Sequence, residues 1–166
     1  MDSKEMLEKL LDGQSLAPGQ ASSLMKMLAD ESMAPVRAGA LLAALRAKGE
    51  TADEIRGFAT AMRELARKPE FPDGIRAADS VGTGGDGSGS LNLSTGTALL
   101  AAASGVPIVK HGNRCVSSKS GSSDVMQALG YRLPANPETA VQDLERCNFT
   151  FLFAPSFHPA MKAIAP

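Results

Sequence analysis

The sequence has few cysteines: Cys115 and Cys147 are the only two in 166 residues. Two thiols cannot build the disulfide framework of a small secreted domain, so the expectation is reduced thiols in a cytoplasmic protein. Histidines are equally scarce, at two, and neither cysteine stands in a zinc-ligand spacing, which argues against a structural zinc site. An excess of charge of one sign is missing as well. The 17 Lys and Arg against 18 Asp and Glu leave a formal net charge of −1. That balance gives no electrostatic footprint for nucleic acid or an anionic membrane surface. No apolar run approaches the ~20 residues of a membrane span. The opening "MDSKEMLEKLLDG" is a charged amphipathic pattern without the apolar region of a signal peptide. There is no G-x-S-x-G elbow for a serine nucleophile, and no Gly-Lys-Ser/Thr to make a Walker-type phosphate loop. What is present is the composition of an ordinary globular chain, 43% hydrophobic and 21% charged, long enough to bury a real core.

The pattern changes near residue 75. Before it, everything reads as helix. Met6, Leu7, Leu10 and Leu11 make one apolar face, and Leu24, Met25, Met27 and Leu28 another, in a helix entered at Pro18 or Gln20. "APVRAGALLAALRAKG" reads as a buried, alanine-rich helix with Pro35 in its first turn and Gly49 after its end. Thr51 and Glu54 form a capping box for "TADEIRGFATAMRELARK". These helices define a domain over residues 1–70 whose role reads as structural, packed on itself or on a second copy. "KPEFPDGIRAAD", with its prolines and glycine, is the connection.

A second domain follows over residues 76–166. "VPIVKHG" and "FTFLFAP" read as buried strands. "STGTALLAAASG", "SGSSDVMQALG" and "NPETAVQDLERC" read as helices, stopped by Gly105 and Gly130 in the first two cases and opened by Asn136 and Pro137 in the third. Glu138, Asp143 and Glu145 read as the solvated face of that last helix. Alternating strands and helices imply an α/β fold with a mainly parallel sheet, where ligands gather at the carboxyl ends of the strands.

Two loops lie at such ends. "VGTGGDGSGSLNLSTG", residues 81 to 96, holds six glycines and one aspartate and runs directly into a helix. Each ordered glycine costs roughly 0.5–1 kcal/mol relative to alanine, so a cluster needs a compensating role. "GTGGDG" formally matches the dinucleotide fingerprint G-x-G-x-x-G, but "SGSLNL" separates it from the helix and no acid for a ribose stands about 20 residues on. A backbone cradle for an anion remains, with Ser94 and Thr95 at a helix N-terminus behind it. A plain glycine turn capped by Ser94 is the competing reading. The second loop, "VKHGNRCVSSKSGSSD", adds Lys110, His111, Arg114 and Lys119 and a second small-residue turn before a helix. Together the loops suggest a ligand with two separated phosphate groups. Nucleophilic chemistry at Cys115 beside His111 is an alternative that sequence spacing alone does not support.

"DSVGTGGDGSGSLNLST", "KHGNRCVSSKSGSSD" and "FLFAPSFHPAMKAIAP" together resemble the anthranilate phosphoribosyltransferase family of tryptophan biosynthesis, weakly through the helical residues 1–70 and strongly from Asp79 onward. The resemblance implies a small helical domain joined to the beginning of a nucleoside-phosphorylase-type α/β domain, dimerised through the helices. It implies a glycosyltransferase that moves ribose 5-phosphate from phosphoribosyl pyrophosphate to anthranilate, with Mg²⁺ and release of pyrophosphate. Carried over by position, Gly82, Gly85, Asp86, Ser90, Asn92, Leu93, Ser94 and Thr95 would line the donor site, with Ser94 also reaching magnesium. Lys110, His111, Gly112, Asn113, Arg114, Cys115, Val116, Ser117, Ser118 and Ser122 would complete it, while Gly82 and Asn113 would also face anthranilate. No protein nucleophile is implied, since positioning and charge neutralisation can supply most of the acceleration.

The chain departs from the family at Cys115, usually serine, at Ser90, usually threonine, and at Ser123, commonly alanine. The family also continues for roughly as many residues again, with an arginine for the anthranilate carboxylate and an acidic pair for magnesium. The resemblance therefore implies a fragment with little or no transferase activity by itself. A pyrimidine-type nucleoside phosphorylase would share the fold, but its lysine motif would read Lys-His-Ser where this chain has "KHGN". A non-catalytic relative binding nucleic acid or protein would call for a basic surface, which the net charge of −1 argues against.

Overall fold

The structure, a computed structural model, describes residues 1–82, 91–114 and 120–163. The chain divides into two compact units, Met1–Ala66 together with the segment from His158, and Arg67–Phe157.

The first unit holds α1 (Ser3–Leu11), α2 (Pro18–Leu28), α3 (Pro35–Lys48) and α4 (Ala52–Leu65), with a 3₁₀ turn at Pro159–Ala163. Asp2 caps α1, accepting from the Lys4 and Glu5 amides, and Pro18 and Pro35 open α2 and α3. Gly49 ends α3 at φ 83°, a left-handed value that a side chain would resist. The core is Met6, Leu10, Leu16, Ala21, Leu24, Leu28, Leu41, Ala44 and Leu45. Two expectations need correction. Leu11 is 69% exposed, because it lies one position past the stripe that Met6 and Leu10 bury. The alanine-rich α3 buries only Leu41, Ala44 and Leu45, and Val36 is 86% exposed. Small residues made that helix look apolar all round, although only one stripe meets the bundle. Helices α2 and α4 approach closely at Gly57, where an added Cβ would sit 2.7 Å from Ala21 Cβ.

Glu54 shows why the capping box matters. It is fully buried, and its carboxylate accepts from the Thr51 amide and the Leu16 amide at 2.8 Å each, and from Lys48 Nζ at 2.8 Å. Burial is the largest influence on its carboxyl and opposes ionisation. The Leu16 amide, Lys48 and Thr51 together outweigh it and hold the group at about 2.

The second unit runs α5 (Leu93–Ala103), β1 (Ile108–Gly112), α6 (Ser122–Ala128), α7 (Pro137–Cys147), β2 (Phe149–Phe153) and the short α8 (Ala154–Phe157). Strands β1 and β2 pair in parallel, Ile108 opposite Phe149 and Gly112 opposite Phe153. On the other edge of β1, Ala78 forms a parallel bridge with Ile108, so β1 is the middle of three adjoining segments. Asn136 caps α7 through the Thr139 amide, and Asn148 turns the chain into β2 in the left-handed conformation that asparagine tolerates. The core gathers Ala98, Ala102, Ile108, Met126, Phe149 and Phe151. Glu138 and Glu145 do lie in α7, but Asp143 is only 7% exposed and is not on its solvated face. Its carboxylate accepts from the Tyr131 hydroxyl at 2.6 Å, a partner twelve residues away that helical periodicity does not reveal.

Candidate functional site

Both loops singled out in the sequence leave the sheet at carboxyl ends of parallel segments. The first follows the Ala78 bridge and leads to α5; the second follows β1 and leads to α6. Of the predicted donor residues, Gly85, Asp86, Ser90, Cys115, Val116, Ser117 and Ser118 lie outside the described residues, as does Lys119.

Helix α5 opens at Leu93, two residues earlier than a Ser94 cap would require, with Asn92 at the cap position. Ser94 therefore sits inside the first turn. The main chain there is partly spoken for: the Leu93 amide donates to Leu91 O at 2.7 Å and the Thr95 amide to Asn92 O at 3.1 Å. Among the described residues the Ser94 N–H has no acceptor, and the half-exposed Ser94 hydroxyl stands at the partial positive charge of the helix end. Gly82 lies beside it: a Cβ there would stand 3.8 Å from Ser94 Oγ, an ordinary van der Waals contact. Thr95 is 2% exposed and Leu93 68% exposed. Neither side chain is built like a phosphate ligand, the first being buried and the second apolar.

Strand β1 delivers the second group. Lys110 is 1% exposed, and its ammonium donates to the Ser80 carbonyl at 2.5 Å, just before the glycine-rich loop. Burial lowers its tendency to stay charged, and the Asp79 carboxylate nearby raises it. Asp79 accepts from the His111 amide at 3.3 Å, so Asp79–Ser80 and Lys110–His111 are laced together across the sheet. The His111 side chain is half-buried. Gly112 has no space for a side chain: a Cβ would stand 2.5 Å from the Phe151 ring and against Ser122 Oγ. Its glycine is a packing requirement of the sheet.

Beyond β1, Asn113 and Arg114 are exposed. The Asn113 carbonyl accepts from the Ser123 amide and from Ser122 Oγ, both at 3.3 Å, and its side-chain oxygen accepts from the Arg114 amide at 2.8 Å. The Arg114 guanidinium lies over the Phe153 ring, 5.7 Å from its centre. Asn92 reaches from the α5 start to Ser120, donating from Nδ2 to Oγ at 2.9 Å and to the carbonyl at 3.3 Å. The structure thus joins Gly82 to Ser94, Asn113 to Ser122, and Asn92 to the turn before α6. Asp79, Ser80, Ser120 and Asp124, which hold these pieces, escaped the sequence reading. Only Asp124 had a signal, standing three residues after Gly121 where a capping acid stands.

Ser94 is a hard oxygen donor of the kind magnesium accepts, but a lone hydroxyl suits a cation that arrives with a diphosphate and keeps its waters. Among the described residues no group of three His, Cys, Asp or Glu could hold a metal by itself.

A fold of helical bundle followed by α/β unit, with small-residue loops at parallel strand ends, defines a class. The chain belongs to the glycosyl transferase family: residues 74–166 match its a/b domain and residues 4–66 its helical bundle domain. Within that family it is similar to the anthranilate phosphoribosyltransferase of Aeropyrum pernix, 49% identical over 161 residues covering 97% of this chain and 46% of the relative. The same enzyme of Trichodesmium erythraeum is 46% identical over 97% of this chain and 48% of its own. Among solved structures, the anthranilate phosphoribosyltransferase of Thermus thermophilus superposes with a TM-score of 0.84 at 47% identity, over 100% of this chain and 49% of that one. The Saccharomyces cerevisiae enzyme, solved in complex with PRPP and Mg, superposes with a TM-score of 0.83 at 27% identity, over 98% and 49% of the two chains. The chain spans about half the length of the relatives it matches.

Proposed function

We propose that this chain carries the phosphoribosyl-donor half of an anthranilate phosphoribosyltransferase, acting in the second step of tryptophan biosynthesis from chorismate. The observation that supports it most is the meeting of the α5 start, the end of β1 and the α6 start at one end of a parallel sheet, on residues that resemble the family's donor motifs. In the reaction, the bond from the anomeric carbon to pyrophosphate breaks with its electron pair on the leaving oxygen. A bond to the anthranilate nitrogen forms, and that nitrogen releases a proton. Bound magnesium would neutralise charge on the diphosphate. The chain's own part is to bind and orient.

Ser94 offers its amide and hydroxyl to the diphosphate and its cation. Gly82 stands beside Ser94, and the exposed Arg114 and buried Lys110 supply positive charge. Asn113, exposed at the end of β1, is suited to a small polar acceptor such as anthranilate, and Gly82 is the second residue assigned to that acceptor. Gly85, Asp86, Ser90, Asn92, Leu93, Thr95, His111, Gly112, Cys115, Val116, Ser117, Ser118 and Ser122 complete the proposed donor set. Homodimerisation through the helical unit and a cytoplasmic location belong to the same reading. The exposed small-residue face of α3, with Val36 and Leu42 uncovered, supports a partner there.

The test is isothermal titration of the chain with phosphoribosyl pyrophosphate and Mg²⁺, with and without anthranilate. Saturable donor binding that strengthens or weakens with anthranilate is the expected result. An absence of donor heat refutes the reading.

A further inference from the structure

The start of α6 is tied to the start of α5 through a single peptide group. The N–H of Gly121 donates to Asp124 Oδ2 at 2.7 Å. The carbonyl of the same peptide, on Ser120, accepts from Asn92 Nδ2 at 3.3 Å, and Ser120 Oγ lies 2.9 Å from that nitrogen. One plane is therefore gripped at both ends. A carbonyl oxygen only accepts hydrogen bonds, so the Asn92 amide must turn its nitrogen towards Ser120. The oxygen Oδ1 is then the polar atom left over, and among the described residues no donor meets it. An asparagine on a short loop would otherwise flip, presenting a donor or an acceptor with little difference in energy.

We propose that Ser120 and Asp124 are positioning residues for the donor site: by clamping the Ser120–Gly121 peptide they fix the Asn92 amide so that only its oxygen is offered to a ligand. The proposal rests on the donor-site reading and adds what kind of group Asn92 recognises. An amide oxygen repels phosphate oxygens and accepts from a hydroxyl or coordinates a hard cation. Asn92 therefore reads the ribose hydroxyls or the magnesium of the donor, and contributes nothing to a bare diphosphate. Neither Ser120 nor Asp124 needs to touch the ligand.

Calorimetry with two probes separates this from a general loss of structure. The probes are the Mg²⁺ complex of phosphoribosyl pyrophosphate and metal-free inorganic pyrophosphate, each titrated into wild type, Ser120→Ala, Asp124→Ala and Asp124→Asn. Loss of a hydrogen bond that orders a neighbour is worth about a tenfold change in affinity. Asp124→Ala is expected to weaken the magnesium donor about tenfold on that scale, with Ser120→Ala weakened less. Asp124→Asn keeps an acceptor for the Gly121 amide and should return to within about threefold of wild type. Metal-free pyrophosphate should bind all four proteins alike. If both alanine variants hold the magnesium donor as wild type does, or lose both probes in proportion, the proposal is overturned. If wild type binds neither probe, the donor-site reading falls and the proposal with it. Should Asp124→Ala fail to fold by circular dichroism, Ser120→Ala decides, since it leaves the backbone and the Asp124 contact intact.

Discussion

Replacing Glu54 by glutamine removes a charge from the most polar point of the helical unit while keeping its size. The carboxylate is fully buried, and Lys48, whose side chain is 6% exposed, lies 2.8 Å from it. Each tenfold change in a protonation equilibrium is worth about 1.4 kcal/mol. A carboxyl held at about 2 instead of its usual 4.5 therefore contributes about 3 kcal/mol of stability. The sign follows from the depression: the contribution is complete above the unfolded value of 4.5 and drains away as the pH falls towards about 2. Glutamine cannot ionise, so Glu54→Gln removes that contribution at neutral pH and leaves the Lys48 ammonium buried against a neutral group, with the Gly49 carbonyl at 2.7 Å as its remaining partner. Breaking one side of a buried pair typically costs about 3–5 kcal/mol, which agrees with the linkage figure.

The assay is thermal unfolding of wild type and Glu54→Gln at several pH values between 2 and 7. For a chain of this size, about 3 kcal/mol corresponds to a fall in Tm of roughly 6–12 °C at pH 7. The gap should narrow on acidification, because wild type loses what the variant never had. Hydrogen exchange at the Leu16 amide, which donates to Glu54, localises the effect. Curves that stay parallel from pH 7 to pH 3, or a variant within about 2 °C of wild type at neutral pH, would refute the idea that the donors overcome burial.

Gly112→Ala should destabilise the α/β unit by about 1–3 kcal/mol, read by urea unfolding, because the new methyl meets the Phe151 ring at 2.5 Å. Ser123→Ala should be neutral or stabilising by up to about 1 kcal/mol in the same assay, since the serine hydroxyl is buried with no hydrogen-bond partner among the described residues. Tyr131, the single tyrosine of the sequence, should resist ionisation in an absorbance titration well beyond the ordinary tyrosine range. Burial comes first among the causes and the hydrogen bond and charge of Asp143 next, so Asp143→Asn should bring the transition down. For the site, Ser94→Ala should weaken the magnesium donor and Asn113→Ala the effect of anthranilate on the same calorimetric titration; equal losses on both ligands would undo that division of roles.

Elements were far more legible than the ties between them. The caps at Thr51 and Asn136, the prolines at the head of α2 and α3 and the strand runs around Ile108 and Phe149 are local signals, and each element forms where its signal lies. Burial was read less well wherever it depends on a neighbour far along the chain. Leu11 and the alanines of α3 looked buried because they are apolar, yet a helix face is covered only if another element reaches it. Asp143 looked solvated because it is charged, and Tyr131 closes over it. Lys110 looked like a free cation, and the sheet encloses it against Ser80, thirty residues back.

The candidate site divides along the same line. Glycines before a helix do announce a loop where the backbone can come close to a ligand, and residues 81–82 and 91–96 occupy such a place. What the pattern overstated is how many donors the helix start leaves open. Leu93 and Thr95 turn their amides back onto Leu91 and Asn92, and Asn92 turns its side chain away to Ser120. Each internal bond removes an anion contact but fixes the group that remains. A ligand then meets Ser94 already oriented, losing less entropy on binding than it would on a loop of free amides. A glycine-rich loop alone would be adaptable and weakly selective. Asn92 tied to Ser120 before α6, and Ser80 tied to Lys110 of β1, fix the described ends of that stretch, which suits the proposed transfer, where positioning counts for more than extra contacts.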